Sequence, residues 1–374
     1  MLALNKPLEM LRPSIVEFGE GTLSKLADWV SVKRFQRVFV VADQVNAARL
    51  QVLGLSEVAC FGMVKPEPDL PNLMEAVAAA EAVEADLVIG FGGGSAMDLA
   101  KLVAVMAGSG KALSQISGPN RAPPRRCGLA QIPTTAGTGS EVGTRALITD
   151  PETQNKVATE SINMLADIAI IDPVLTASVP PFITAATGVD AMAHCVEAFT
   201  SKRSHPLIDD YALRGITLVG SNLKRAVEDG NDMTARSAMA LASFYGGVCL
   251  GPVNTTAGHA LSYPLGTRHK IAHGVANALI FPHVLAANAS AVPEKTELIC
   301  TALGFSGSSE ADILSGATAF CEGLGLDMRL QAHGVLQDDL VNMAREAHAI
   351  RRLLDWNPVD LTQDQIFEIY QTAW

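Results

Sequence analysis

The stretch LVIGFGGGSAMDLAK, residues 87–101, is the clearest indication of the fold. An apolar run ends at three consecutive glycines, and a segment of helical character follows. This order predicts a buried strand, a tight turn and a helix start, where free backbone N–H groups and the positive helix end can receive a phosphate. The glycines Gly92, Gly93 and Gly94 would let the backbone approach that anion closely. The stretch therefore indicates phosphate binding, with a simple strand-to-helix turn as the alternative.

Two acids, Asp98 and Asp43, bear on the same site. Ser95 and Asp98 stand three residues apart, as in a capping box that would fix the helix start. Asp43 follows the predicted strand 37–42, where an acid can accept hydrogen bonds from a ribose diol; a helix N-cap or a solvated loop acid is the alternative. Because Asp43 precedes the glycines and the spacing is not G-x-G-x-x-G, the pattern indicates a nucleotide site outside the ordinary Rossmann fingerprint.

Apolar, β-branched runs alternate with helical stretches up to about residue 180, which is typical of a parallel α/β sheet. The clearest predicted strands are 37–42, 87–91, 129–133 and 168–171, and 73–84 is a predicted helix. The loop TTAGTGSE at 134–141 follows the third of these strands. Its hydroxyls, Thr134, Thr135 and Thr138 among them, could donate to phosphate or ribose oxygens, or could form an ordinary Ser/Thr turn.

The strand pattern stops at Pro180 and Pro181, and the rest of the chain is predicted to be helical. The predicted helices span 182–201, 206–228, 232–250, 273–288, 309–325, 335–350 and 362–373. The two halves of the chain therefore differ in architecture.

The first of these helices contains a candidate metal site. Asp190 and His194 stand four apart within GVDAMAH, residues 188–194, so both side chains leave the same face of the helix. A surface ion pair or a helix cap is the alternative. A carboxylate with imidazoles suits Fe(II), Zn, Ni or Co better than Mg or Ca. Spacing does not choose the remaining ligands among the later histidines His259, His269, His273 and His283.

Composition excludes several kinds of partner. The chain of 374 residues is 48% hydrophobic with a net charge of −11, which indicates a well-buried globular protein and disfavours nucleic acid and anionic membranes. Lys6, Pro7 and Glu9 interrupt the N-terminus, so no signal peptide is predicted, and no window reaches the ~18 apolar residues of a membrane span. We expect a cytoplasmic protein that acts on a small molecule.

Four motifs, in order along the chain, resemble the iron-containing (group III) alcohol dehydrogenases. They are GGGSAMDLAK at 92–101, PTTAGTGSE at 133–141, TGVDAMAH at 187–194 and HGVANA at 273–278. The resemblance covers nearly the whole chain and implies a dehydroquinate-synthase-like fold. A Rossmann-like α/β domain, 1–180, would bind NAD, and an all-α domain, 181–374, would bind the metal and the substrate. The family also implies a homodimer.

The activity that this resemblance implies is a metal-dependent, NAD-linked interconversion of a small alcohol and its aldehyde or ketone by hydride transfer. The implied metal is Fe(II), with Zn(II) as the alternative, and its implied ligands are Asp190, His194, His259 and His273. The implied cofactor contacts are Asp43, Gly92, Gly93, Gly94, Ser95, Asp98, Thr134, Thr135, Thr138 and Lys156. An acid at Asp43 would repel a 2′-phosphate, so NAD is predicted over NADP.

The chain departs from the family pattern at Tyr263, where members commonly carry a histidine suspected of relaying the proton. Tyr263, His269, or the ribose hydroxyl with water are the open candidates for that role. Three other activities are alternatives: a metal-independent enzyme like maleylacetate reductase, a hydroxyacid-oxoacid transhydrogenase, and a lyase like dehydroquinate synthase.

Overall fold

The computed structural model describes residues 5–152 and 156–374 and divides into two compact units. The first, called here the sheet unit, comprises Leu11–Thr135 and Gly139–Ser178. The second, called the helical unit, comprises Val179–Trp374, Ala136–Thr138 and the described residues up to Met10.

The strands of the described chain all lie in the sheet unit. They are β1 (Ile15–Phe18), β2 (Val38–Ala42), β3 (Ala59–Phe61), β4 (Leu87–Gly92), β5 (Gly118–Pro119), β6 (Gly128–Pro133), β7 (Arg145–Thr149), β8 (Lys156–Glu160) and β9 (Ile168–Ile171). A six-stranded, wholly parallel sheet has the order β1-β9-β6-β4-β2-β3. Its central strands β2 and β4 are fully buried, as a parallel sheet covered on both faces requires. The predicted parallel α/β sheet is confirmed.

Helices of the sheet unit follow several of these strands. They are α1 (Lys25–Lys33), α2 (Gln44–Ala47), α3 (Leu70–Ala82), α4 (Gly94–Met106) and α5 (Leu113–Ile116). Helices α3 and α4 pack on one face of the sheet, where Leu73, Leu99 and Val103 share a core with Val41 and Val88. Burying each such side chain stabilises the unit by about 1.5–3 kcal/mol.

A second, three-stranded sheet was not predicted. Its order is β5-β8-β7, with β7 antiparallel to β8. Ala146 and Ile148 of β7 are buried in the same core as α3 and α4. Because β7 packs in this core, the small sheet holds the chain that follows the 134–141 loop close to α4.

The helical unit confirms the predicted change of architecture. Its helices are α6 (Pro181–Thr200), α7 (Pro206–Glu228), α8 (Met233–Leu250), α9 (Ala257–His269), α10 (His273–Asn288), α11 (Pro293–Leu303), α12 (Glu310–Glu322), α13 (Leu340–His348), α14 (Arg351–Leu354) and α15 (Gln363–Ala373). Helix α6 is buried on nearly all sides from Thr184 onward, as expected of a helix at the centre of a unit. Within the described ranges, no helix is both long and apolar enough to cross a bilayer.

Candidate metal centre and nucleotide site

Four side chains that the sequence suggested as metal ligands come together in the helical unit. Asp190 and His194 lie one turn apart on α6, His259 lies on α9, and His273 is the first residue of α10. Asp190, His194 and His259 are almost fully buried, whereas His273 keeps 26% of its side chain exposed. Solvent therefore reaches the cluster on the side of His273.

The ligand atoms of this cluster converge. The Nε2 atoms of His194, His259 and His273 lie 3.8, 3.7 and 3.7 Å from Oδ1 of Asp190. The ligand atoms of Asp190, His259 and His273 all lie within 4.8 Å of one another, and Nε2 of His194 is 2.9 Å from Nε2 of His259. Ligands held at about 2.0–2.2 Å around a tetrahedral ion stand roughly 3.4 Å apart, so the separations fit one divalent ion.

The hydrogen bonds of the cluster also favour a cation. Nδ1 of His259 faces the Glu197 carboxylate, which can only accept, so a neutral His259 ring donates from Nδ1 and keeps the lone pair of Nε2 on the side of His194. Within the described chain, Nδ1 of His194 is buried without a hydrogen-bond partner. The amide nitrogen of Asn277 lies 2.5 Å from Oδ1 of Asp190, 3.1 Å from Nε2 of His259 and 3.2 Å from Nε2 of His273. Oδ1 of Asp190 and the Nε2 atoms of the histidines thus surround one point, and these acceptors favour a cation there.

Glu197 belongs to this site, although sequence reasoning missed it. Its buried carboxylate accepts hydrogen bonds from the N–H groups of Thr256 (2.9 Å) and His259 (3.1 Å), from the Thr256 hydroxyl (3.2 Å) and from Nδ1 of His259. A Cβ at Gly258 would lie 2.9 Å from Oε1 of Glu197, so glycine makes room for the carboxylate. A carboxylate in this position fixes the tautomer of a metal-ligating histidine. The available signal was the spacing i, i+4, i+7 from Asp190 through His194 to Glu197.

Burial and neighbouring charges set the protonation of the cluster. Burial lowers the pKa of His194 to about 4, so its ring is neutral at neutral pH and can coordinate. Burial acts to raise the pKa of Asp190, but the surrounding imidazoles hold it below its ordinary value. Burial acts to lower the pKa of His259, yet Glu197 raises it above its ordinary value, against an opposing effect of Arg352.

The two residues considered for proton transfer are placed differently. The ring of Tyr263 is buried, with its centroid 6.1 Å from that of His273 and 6.4 Å from that of His259. Its hydroxyl makes no hydrogen bond with a described residue. Nε2 of His269 instead lies 3.6 Å from Oδ2 of Asp339. Tyr263 therefore contacts the cluster, whereas Nε2 of His269 faces an acid without a hydrogen bond to any described residue.

In the sheet unit, the residues predicted to bind the nucleotide follow three adjacent strands. Asp43 comes after β2, Gly93 after β4, and Thr134 after the last residue of β6. From β2 the chain continues to β3 on one side and then to β4 on the other. Open α/β sheets bind ligands beyond the carboxyl ends of strands at such a switch point.

The glycine turn at this edge is tightly packed. A Cβ at Gly92 would lie 2.8 Å from Cβ of Ala96 and 3.1 Å from Oδ2 of Asp43, so only glycine fits. Gly93 is the N-cap of α4, and a Cβ there would lie 3.3 Å from the Thr135 hydroxyl. The turn therefore brings the helix N-terminus and a hydroxyl donor together, as anion binding requires.

Asp43 is also a helix cap. Its Oδ1 accepts hydrogen bonds from the N–H groups of Val45 (2.9 Å) and Asn46 (3.0 Å), and its Oδ2 accepts one from the Asn46 amide (2.6 Å). The N-cap alternative is therefore correct. Because a carboxylate has about four lone-pair sites, acceptor capacity for a ribose hydroxyl is left.

The capping box predicted from Ser95 and Asp98 is wrong. Helix α4 begins at Gly94, so Ser95 already lies inside the helix. Both oxygens of Asp98 are used elsewhere, because Oδ1 accepts from the Ser140 hydroxyl at 2.5 Å and Oδ2 accepts from the N–H of Leu147 at 2.9 Å.

Lys101 reinforces the same connection. It is buried, and its Nζ donates to the Ser140 hydroxyl at 2.7 Å and to the Arg145 carbonyl at 2.8 Å. Asp98 and Lys101, three residues apart on α4, thus anchor β7 and the loop before it.

Lys156 and Thr138 are the remaining residues suggested for the cofactor. Lys156 begins β8, and its Nζ is paired with the Glu67 carboxylate and with the Thr149 hydroxyl (2.9 Å). Contact with a cofactor would require the ion pair with Glu67 to open. Thr138 belongs to the helical unit, whereas Thr134 and Thr135 belong to the sheet unit.

Two family profiles match the chain. The profile described as iron-containing alcohol dehydrogenase matches residues 13–173, and the C-terminal profile of the Fe-containing alcohol dehydrogenase family matches residues 184–374. Together they span nearly the whole chain.

Individual relatives match over similar lengths. The long-chain-alcohol dehydrogenase 1 of Geobacillus thermodenitrificans is 36% identical over 376 residues, which cover 98% of this chain and 93% of the relative. A crystal structure of a 1,3-propanediol oxidoreductase has a TM-score of 0.91 and 31% identity, over 99% of this chain and 100% of its own. The sulfoacetaldehyde reductase of Bifidobacterium kashiwanohense in complex with NAD+ has a TM-score of 0.89 and 27% identity, over 98% and 99% of the two chains.

Proposed function

The chain belongs to the iron-containing alcohol dehydrogenase family, and we propose that it interconverts a small alcohol and its aldehyde or ketone by hydride transfer with NAD(H). The family uses NAD and iron or another divalent metal. The observation that carries the proposal is the convergence of one carboxylate and three imidazoles on a single buried centre.

We assign the metal to this centre, with Fe(II) as the expected ion and Zn(II) as the alternative. The assigned ligands are Asp190, His194, His259 and His273. The separations of their ligand atoms and the neutral state of His194 support the assignment.

When bound, the metal supplies a Lewis acid for the substrate oxygen, and the nicotinamide supplies or accepts the hydride. Glu197 holds His259 in the tautomer that leaves Nε2 unprotonated. We propose that Tyr263 holds the transferred proton at its hydroxyl oxygen. Its ring contacts His273, and its hydroxyl is not engaged by any described side chain or backbone group.

For the nucleotide, we propose that residues 1–180 bind NAD and that residues 181–374 bind the metal and the substrate. Gly92, Gly93, Gly94 and Ser95 are assigned to the pyrophosphate, because the N-terminus of α4 favours an anion. Thr134, Thr135 and Thr138 are assigned to the nicotinamide side, and Lys156 to the cofactor once its pair with Glu67 opens. Asp98 is assigned an indirect role, since it anchors the loop beside the site.

The preference for NAD over NADP is assigned to Asp43. Its carboxylate would accept a ribose hydroxyl and repel a 2′-phosphate. The ratio of kcat/KM for NADH over NADPH tests this assignment, and a clear preference for NADPH would overturn it.

We further propose a cytoplasmic homodimer. The described cysteines are free thiols, which is usual in a reducing compartment. The proposal of a dimer rests on the family resemblance. Size-exclusion chromatography with light scattering would test it by measuring the molar mass.

The whole proposal is tested by NADH oxidation. The protein would be purified anaerobically, stripped of metal, reloaded with Fe(II) or Zn(II), and offered short aldehydes, ketones and oxo acids, including maleylacetate. We expect metal-dependent reduction of simple aldehydes. Metal-independent reduction confined to maleylacetate would replace the proposal with a reductase of that kind.

A further inference from the structure

Arg352, on the short helix α14, lies next to the proposed proton donor. Its guanidinium carbon is 5.7 Å from the ring centroid of Tyr263, in cation–π range. The same ring lies 6.1 Å from the ring of His273, the most exposed of the proposed ligands. One aromatic ring therefore separates the guanidinium from the metal cluster.

Two other arginines of the helical unit, Arg351 and Arg268, are paired with acids. Arg351 contacts Asp355 at 2.5 Å and Asp360 at 3.0 Å, and Nε of Arg268 contacts Glu346 at 2.7 Å. Arg352 differs, because its side chain makes no hydrogen bond or ion pair within residues 5–152 and 156–374. Arg352 is an exposed residue, and the contact with the Tyr263 ring limits the orientation of its guanidinium while its N–H groups stay available.

We propose that Arg352 binds an anionic group on the substrate, and that the substrate is therefore a small oxo acid or hydroxy acid. This inference rests on the proposed function and narrows its substrate class. The carbonyl or alcohol oxygen would lie at the metal cluster, and a carboxylate or sulfonate a few bonds away would accept hydrogen bonds from the guanidinium. Planar paired N–H donors match the geometry of both anions.

The overall charge of the protein disfavours an anionic substrate, so a local cation would help to bind one. A net charge of −11 repels an anion that approaches from solution. The unpaired guanidinium over the Tyr263 ring supplies the opposite charge on the side of the cluster where His273 lies. A neutral alcohol would gain nothing from it.

The test compares matched pairs of aldehydes in the metal-loaded enzyme with NADH. One pair is succinic semialdehyde and butanal, and the other is sulfoacetaldehyde and propanal, so the two pairs distinguish a carboxylate from a sulfonate. Each is assayed with the wild type, Arg352→Gln, Arg352→Lys and the control Arg329→Gln. Arg329 is exposed and paired with Asp327 in its own loop.

We expect the wild type to prefer the anionic member of at least one pair by about 10-fold or more in kcat/KM. Arg352→Gln should lower that preference by about 10- to 100-fold, the range of a charge-assisted hydrogen bond, and Arg352→Lys should restore part of it. Arg329→Gln should keep the wild-type preference.

An unchanged preference in Arg352→Gln, or none in the wild type, would overturn the inference and leave the dehydrogenase proposal standing. A tenfold rise in the KM for NADH with an equal loss on both members of a pair would assign Arg352 to the nucleotide and also overturn the inference. No turnover by the loaded wild type of these four aldehydes, nor of the ketones and oxo acids of the wider panel, would overturn the proposed function and this inference together.

Discussion

Replacing Glu197 with glutamine should weaken metal binding without unfolding the helical unit. Glutamine keeps the size of the side chain, and its carbonyl oxygen can still accept from Thr256 and from the His259 N–H. Its NH2 group, however, would face Nδ1 of His259. Two N–H groups cannot share that contact, so His259 would have to move its proton to Nε2, the atom assigned to the metal.

The expected size of this effect follows from the role of the carboxylate. Loss of a group that orients a ligating histidine typically lowers metal affinity 10- to 100-fold. That range corresponds to about 1.4–2.7 kcal/mol. NADH binding should be unchanged, because none of the hydrogen bonds of Glu197 involves a residue assigned to the nucleotide.

Anaerobic titration of stripped protein with metal, in competition with a chromogenic chelator, measures the affinity directly. Glu228→Gln is the matched control, since Glu228 is 64% exposed and only 3.8 Å from Lys224 on the same helix. A folded Glu197→Gln variant with wild-type metal affinity would refute the reasoning, whereas equal losses in both variants would show that the loss is not specific to this site.

Three further changes probe other parts of the molecule. Burial raises the pKa of Glu141 to about 7. Between pH 4.5 and 7 the folded state therefore keeps a proton that the unfolded state has released. The stabilisation from this proton is complete below pH 4.5 and is lost as the pH rises through 7. The free energy of unfolding should therefore fall by about 3 kcal/mol between pH 4.5 and pH 8, and Glu141→Gln should remove that fall in urea titrations unless another group causes it. Tyr263→Phe should lower kcat about 100-fold with little change in NADH affinity, and a kcat within threefold of wild type would exclude its hydroxyl from proton transfer. Gly93→Val should raise the KM for NADH at least ~10-fold, because the added side chain enters the space beside Thr135 and covers the helix N-terminus, while metal content stays the same.

Periodicity predicted most of the long elements. The expected strands 37–42 and 87–91 correspond to Val38–Ala42 and Leu87–Gly92, and the expected helix 206–228 is found as Pro206–Glu228. Helix α9 was missed, since it contains Pro264 and Gly258 and is buried on most sides, which removes the amphipathic signal. Helix α11 was also missed, although proline at its start and glycine after its end are ordinary boundary signals.

The site was predictable only where its residues are close in sequence. Asp190 and His194 share a helix face, so their spacing was informative. Spacing left the later histidines open, because the approach of α9 and α10 to α6 is a tertiary property. The role of Asp98 was misjudged for the same reason, since its partners Ser140 and Leu147 are more than forty residues away in sequence.

Metal titration with simultaneous measurement of turnover is the decisive experiment for the metal centre. Stripped protein would receive Fe(II) in substoichiometric steps while bound metal and NADH-dependent aldehyde reduction are both recorded, for the wild type and for His259→Ala and His273→Ala. We predict that wild-type activity rises in proportion to bound metal and stops rising at one ion per chain. Both variants should bind NADH but lack metal-dependent turnover. Full activity in the stripped wild type, or unchanged activity in either variant, would contradict the metal centre proposed here.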